Sequence, residues 1–301
     1  MRSSPAVITV AVLLPACLAG WFIWHSAGGP DDGTAAGAPA SGRPQESAAR
    51  TPGGAARPSH TATGDDKPGN GAPAGGRPLA GKIIVIDPGH NPNNYHHPSE
   101  INRRVNIGNG TTECDTTGTS TNSGYAEARF TLDVSHRMRA LLEKQGATVR
   151  LTQDGDRGFG PCVTERAAAG NKAEADAAVS VHADGSAAGN RGFHVILPAL
   201  VKAGTANTAP IVAPSRDLGT RIAGRFVRDT GTAPSNYVGG GTGLDTRSDL
   251  GGLNLSTVPK VFIECGNMRD PKDAALLTSE SWRQKAAQGI ADGISSFLHA
   301  E

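Results

Sequence analysis

Lys82-Ile83-Ile84-Val85-Ile86-Asp87-Pro88-Gly89-His90 sets the reading of everything around it. Four β-branched apolar residues follow one another with no polar alternation. That is the signature of a strand covered on both faces, as in a parallel sheet. The run stops at Pro88-Gly89, a turn signal, and delivers a histidine just beyond the strand.

Moving toward the C-terminus, periodic segments alternate between strand and helix. Asn91 to Gly124 is rich in Asn, Thr, Gly and Ser and reads as a long loop, a feature that inside a domain is usually functional. Ser123 reads as the N-cap of a helix whose stripe Phe130, Val134, Met138 and Leu141 extends back to Glu127. That places a carboxylate on the inward face of its first turn, and Gly146 closes the helix. Ala147–Leu151 reads as a strand, Thr164 opens a helix, and Asp176–His182 and Gly192–Leu197 read as neighbouring strands. A helix over Ser215–Asp229, a Gly-rich loop over Gly239–Gly252, a strand over Val258–Ile263 and a helix over Pro271–Leu298 complete the pattern. The prediction is one α/β domain with a mainly parallel twisted sheet flanked by helices.

Upstream, the composition changes. Residues 1–26 begin with a short basic start, Met1-Arg2, and continue as an apolar run from Pro5 to Trp24. This is an export segment, close to the ~20 residues that span a bilayer. Cleavage near Ala19 or Ser26, membrane anchoring by residues 5–24, and lipidation at Cys17 in Leu14-Pro15-Ala16-Cys17 all remain open. Residues 27–80 hold almost no large apolar side chain and read as a disordered Gly/Ala/Pro-rich linker, leaving 81–301 as the folded domain. Charge is balanced, with 29 Lys+Arg against 28 Asp+Glu, and no basic block appears. Nucleic-acid binding is therefore not expected.

An exported chain permits disulfides. Cys114 and Cys162 both fall in loop-like sequence, and a bridge between them is expected over free thiols. Cys265 follows an apolar strand and reads as a small core residue.

Three strands end in reactive groups: Asp87-Pro88-Gly89-His90, Ser180-Val181-His182-Ala183-Asp184, and Ile263-Glu264-Cys265-Gly266-Asn267. Ligands of open α/β sheets bind at such carboxyl ends. Two imidazoles and a carboxylate suit zinc, and a second carboxylate suits proton transfer. Each residue also has a plainer reading. His90 alone is a turn residue, His182 a core histidine, and Glu127 a first-turn charge favoured by the helix dipole. Glu264 is the least easily explained that way, because a carboxylate there is costly to bury without a role. Asp87 is expected to shape the turn or orient a ligand, and Arg166 to be structural. His96-His97 reads as a loop pair and His136 as surface. His194, Asp184 and the Leu244-Asp245 loop are candidates for the cleft.

Taken in order, Ile86–His90, the Glu127 helix, Leu151-Thr152 before Asp154, Arg166, Ser180-Val181-His182-Ala183 and Val258-Pro259 with Glu264 resemble the zinc-dependent N-acetylmuramoyl-L-alanine amidases of the Amidase_3 type. The resemblance covers nearly all of Gly81 to Leu298. It implies that His90, Glu127 and His182 hold Zn2+ and that Glu264 is the catalytic acid/base. It further implies hydrolysis of the amide between N-acetylmuramic acid and L-alanine of peptidoglycan, outside the cytoplasm. A monomer is expected, although nothing in the sequence fixes the oligomeric state. Cys265-Gly266-Asn267-Met268 and the long insert after His90 depart from the family's usual pattern. A wall peptidase, a polysaccharide deacetylase and a binding-only domain are the competing readings.

Overall fold

The computed structural model describes residues 77–299; the expected export segment and most of the expected linker lie outside them. Among the described residues, no helix is long and apolar enough to cross a membrane. Packing starts at Leu79, which is fully buried and donates its N–H to the Gln145 carbonyl, two residues before Gly81.

Six strands form the sheet: β1 (Ile83–Pro88), β2 (Thr148–Leu151), β3 (Ala177–Asp184), β4 (His194–Pro198), β5 (Leu244–Arg247) and β6 (Lys260–Asn267). Their order is β2-β1-β3-β6-β4-β5, parallel throughout except where β6 meets β4. The mainly parallel α/β architecture is therefore as the sequence predicts. However, β6 inserts between β3 and β4, so these two consecutive strands do not pair.

Alternation along the strands divides the sheet into two faces. Ile84, Ile86, Val179, Val181, Val261 and Ile263 point into the large core beneath helices α1 (Glu127–Lys144), α3 (Ala209–Thr230) and α5 (Glu280–Leu298). Phe130, Met138, Ile222, Phe226 and Ile290 fill that core. The other face carries Val85 and Ala178 in a smaller cluster with Ala173, Ala175 and Val258, beside helix α2 (Val163–Lys172). Nearer the C-terminal strand ends this second face turns polar, with Asp87, Ser180, His182 and Glu264, while Lys260 stands on it at the start of β6.

Several boundaries differ from the sequence reading, each for a local reason. Helix α1 starts at Glu127 rather than after Ser123. The Ser123 hydroxyl is engaged with Thr121, inside a turn closed by Gly124 N–H on the Thr121 carbonyl. Helix α2 is capped at Cys162, whose N–H is taken by the Glu165 carboxylate at 2.8 Å. Helix α3 begins at Ala209 and continues through Pro214. The last helix is two: α4 (Pro271–Leu277) ends where the Thr278 hydroxyl takes the Ala274 carbonyl, and Ser279 turns extended before α5. Asn91–Gly124 is not structureless. It contains a 3-10 turn, a short helix over Pro98–Ile101 and a hairpin pairing Arg104–Asn106 with Thr111–Glu113. The Cys114–Cys162 disulfide, with Val163 N–H on the Cys114 carbonyl at 2.7 Å, ties this segment to the start of α2.

Candidate metal centre

Strand register brings the predicted groups together. Asp87 lies beside Ser180, and His182 beside Glu264, so β1, β3 and β6 present their polar ends in one row. His90 follows at φ 62°, a left-handed conformation that costs a non-glycine residue about 1–2 kcal/mol. Its carbonyl is held there by Arg166 Nη2 at 2.9 Å and Gln153 Nε2 at 3.1 Å.

Glu127 reaches in from the first turn of α1. Its Oε1 lies 3.0 Å from His182 Nδ1 and accepts the Ala183 N–H at 3.1 Å. Its Oε2 lies 3.1 Å from His90 Nε2 and accepts the Thr119 N–H at 2.9 Å. One atom from each of His90, Glu127 and His182 falls within 4.8 Å of the others.

The remaining ring nitrogens have partners outside the centre. His90 Nδ1 faces the Thr116 carbonyl at 3.1 Å, which can only accept, so a proton on Nδ1 has a partner there. His182 Nε2 faces Ser180 Oγ at 3.2 Å. That hydroxyl donates to Asp87 Oδ2 at 2.8 Å and so can accept from the ring. With a cation between them, each imidazole could therefore ligate through the nitrogen that faces Glu127, His90 through Nε2 and His182 through Nδ1.

Electrostatics call for a positive charge between them. Burial pulls the His90 pKa down, but the Glu127 carboxylate outweighs it and raises the value to about 8. Burial also opposes the charge of Glu127, yet His90 and His182 hold its carboxyl well below the usual carboxylate range. A proton on His90 here plays the part of a cation. Two glycines make room for the rings. A Cβ on Gly89 would sit 2.3 Å from His182 Cε1. At Gly118, where φ is +73°, one would sit 2.7 Å from His90 Cδ2 and 2.8 Å from Glu127 Oε2.

Glu264 is partly exposed as a residue, but its Oε2 is buried without a hydrogen-bond partner. Burial of the carboxyl, then the negative charges of Glu127 and Asp184, push its pKa well above the usual value, with Arg247 opposing. A cavity of about 190 Å³ opens beside His90 and His182, bounded by Phe262, Val163, Glu113 and Asp249.

Below the centre lies a charged network that the sequence reading largely missed. Arg166 bonds Asp87 at 2.8 Å, Asp115 at 2.9 Å and the Pro88 carbonyl at 2.6 Å. Lys260, 1% exposed, lies 3.4 Å from Asp87 Oδ2. Burial works against the charge on Asp87, but Lys260 and Arg166 overcome it and hold its carboxyl far below the usual range. A lysine opening the apolar run Lys260–Ile263 was the available signal for this network. Asp115, Thr116 and Thr119 gave none, because they belong to loop sequence.

The other candidates fall as follows. His96 stacks on Tyr95 and His97 on Phe159, away from the centre. His136 pairs with Asp154 on the surface. Cys265 is buried with a free thiol, facing the large core. Asp184 accepts the Tyr237 hydroxyl at 2.6 Å, and His194 is buried against Tyr237.

Comparison with known proteins gives the family. The family model described as N-acetylmuramoyl-L-alanine amidase matches residues 84–296. The N-acetylmuramoyl-L-alanine amidase Rv3717 of Mycobacterium tuberculosis is 41% identical over 225 residues, covering 73% of this chain and 88% of the relative. Among solved structures, the N-acetylmuramyl-L-alanine amidase of Mycobacterium smegmatis superposes with TM-score 0.69 at 39% identity, over 74% of this chain and 99% of that one. The apo form from Mycobacterium abscessus gives 0.66 at 38% identity, over 73% and 100%.

Proposed function

The chain belongs to the N-acetylmuramoyl-L-alanine amidase family, and we propose that His90, Glu127 and His182 hold a zinc ion while Glu264 moves the protons of its reaction. The reaction is hydrolysis of the amide bond joining the lactyl group of N-acetylmuramic acid to L-alanine in peptidoglycan. The observation that carries the zinc assignment is how the four ring nitrogens are placed. Each imidazole has one nitrogen committed outside the centre and the other turned toward Glu127.

When bound, zinc supplies Lewis acidity, letting water ionise with a pKa near ~7 and polarising an amide carbonyl. The protein's own groups do the rest. Thr116 and Ser180 keep the ligand lone pairs aimed, and the Thr119 and Ala183 N–H groups keep the Glu127 carboxylate from rotating. Glu264, beside His182 on the next strand, takes a proton from the attacking water and returns it to the departing L-alanine nitrogen. The leaving group thus departs as an amine.

Peptidoglycan lies outside the cytoplasm, so residues 1–26 serve for export. They do so as a cleaved signal, as a membrane anchor over residues 5–24 or through lipidation at Cys17, and 27–80 are the reach toward the wall. The composition of those stretches supports this reading. The enzyme acts as a monomer.

The test uses the purified protein with muramyl dipeptide or peptidoglycan, read by mass spectrometry. The expected product is stem peptide with a free N-terminal L-alanine, lost on chelation and restored by zinc. Glu264→Ala is expected to abolish it while retaining a full complement of zinc. Cleavage surviving chelation, or cuts only within the peptide, would overturn the reading. Near wild-type rates in Glu264→Ala would remove that residue from the mechanism.

A further inference from the structure

Glu264 has a metal ligand on one side and a histidine on the other. On the parallel neighbour β3 its partner is His182; on the antiparallel neighbour β4 its partner is His194. Directly opposed residues of an antiparallel pair share a sheet face, with Cβ atoms ~4.5–5.5 Å apart. The alternation agrees, since Val195 and Leu197 point into the large core and His194 therefore points with Glu264.

Both side chains carry an unsatisfied atom. Among the described residues, Glu264 Oε2 and His194 Nδ1 are two of five buried side-chain polar atoms with no hydrogen-bond partner. Leaving either atom unpaired costs ~1–3 kcal/mol. The two do not bond each other as the side chains stand, but they belong to facing residues of one ladder, where a small side-chain rotation or one intervening water would satisfy both. The ring is 4% exposed and is packed by the edge of Tyr237, whose hydroxyl is committed to Asp184. Burial pulls the His194 pKa down, against the charges of Asp184 and Asp245, so the ring is neutral and carries a single N–H.

We propose that His194 is a positioning residue for Glu264: its Nδ1–H donates to Glu264 Oε2, directly or across one water, and leaves Oε1 as the oxygen that takes and returns the reaction's proton. A carboxyl with two free oxygens rotates between equivalent poses. One held from behind presents a single oxygen along a fixed line. The donor suits both protonation states, because Oε2 accepts whether the proton is absent or on Oε1.

The inference rests on Glu264 as proton carrier, which the Glu264→Ala assay decides separately. Its own test is steady-state kinetics on muramyl dipeptide for His194→Ala, His194→Asn and His194→Gln, with zinc content and melting temperature measured alongside. His194→Ala is expected to lower kcat by about 100-fold, the scale of a misplaced reacting group, with KM and zinc unchanged. The Asn amide nitrogen occupies the place of Nδ1 and is expected to recover most of the loss; Gln, which mimics Nε2, is not. In a Glu264→Gln background, adding His194→Ala is expected to change nothing further. A raised KM with intact kcat, equal behaviour of Asn and Gln, or a full additional loss in the Glu264→Gln background would overturn the proposal.

Discussion

Ser180 shows how far a ligand's aim depends on atoms that never approach the metal. Its hydroxyl donates to Asp87 and accepts from His182 Nε2, so the orientation of one imidazole is set by a carboxylate that Arg166 and Lys260 hold in its charged form. Ser180→Ala removes the acceptor, freeing the ring to flip and the tautomer to change. Zinc affinity is expected to fall by about 10–100-fold with little change in melting temperature, as measured by competition with a chromogenic chelator. Unchanged affinity would show that Glu127 alone orients the ring. At this scale the sequence was informative where chemistry coincides with strand ends, as at His90, His182 and Glu264. It was silent where a loop backbone supplies the group, as with the Thr116 carbonyl and Thr119 N–H. Spacing cannot report which loop atoms fold back over a strand.

Elements were legible where burial leaves a clear pattern in the sequence. β1 reads as a buried strand because both faces are covered. The helix bearing Glu127 reads from its stripe. β5 was hidden in a Gly-rich stretch because Leu244-Asp245-Thr246-Arg247 is an edge strand, paired only to β4, with no fully buried residue. The division of the last helix was hidden because Thr278 and Ser279 are compatible with a helix, and the break lies in the backbone, where Ser279 turns extended at ψ 121°. The α3–α5 contact yields a prediction that propensity alone would get backwards. Exposed glycine within a helix costs about 1 kcal/mol relative to alanine. Yet a Cβ on Gly293 of α5 would lie 2.5 Å from Ile222 Cα of α3. Gly293→Ala is therefore expected to destabilise the fold by about 1–3 kcal/mol, since backbone must move to admit the methyl. A rise in melting temperature on calorimetry would show that the helices separate freely.

For the molecule as a whole, the disulfide joins two regions that the chain keeps 48 residues apart. It anchors the segment that supplies the Thr116 carbonyl to His90 and the Gly118 backbone beside Glu127. Closing a loop of that length contributes about 4 kcal/mol in the chain-entropy account. Reduction is thus expected to lower the melting temperature by about 10 °C for a domain of this size. Activity is expected to fall more steeply than folded content, because the loosened segment touches the ligands. Identical melting and turnover before and after reduction, with opening of the bridge verified by alkylation, would refute that. Gly89 has a different kind of reach. Its backbone does not require glycine; its missing side chain is the space taken by the His182 ring. What looks in sequence like a local turn motif is the imprint of an imidazole on another strand, so the two positions should drift together. In a descendant that had lost this imidazole, the space beside residue 89 would open and an alanine there would be tolerated.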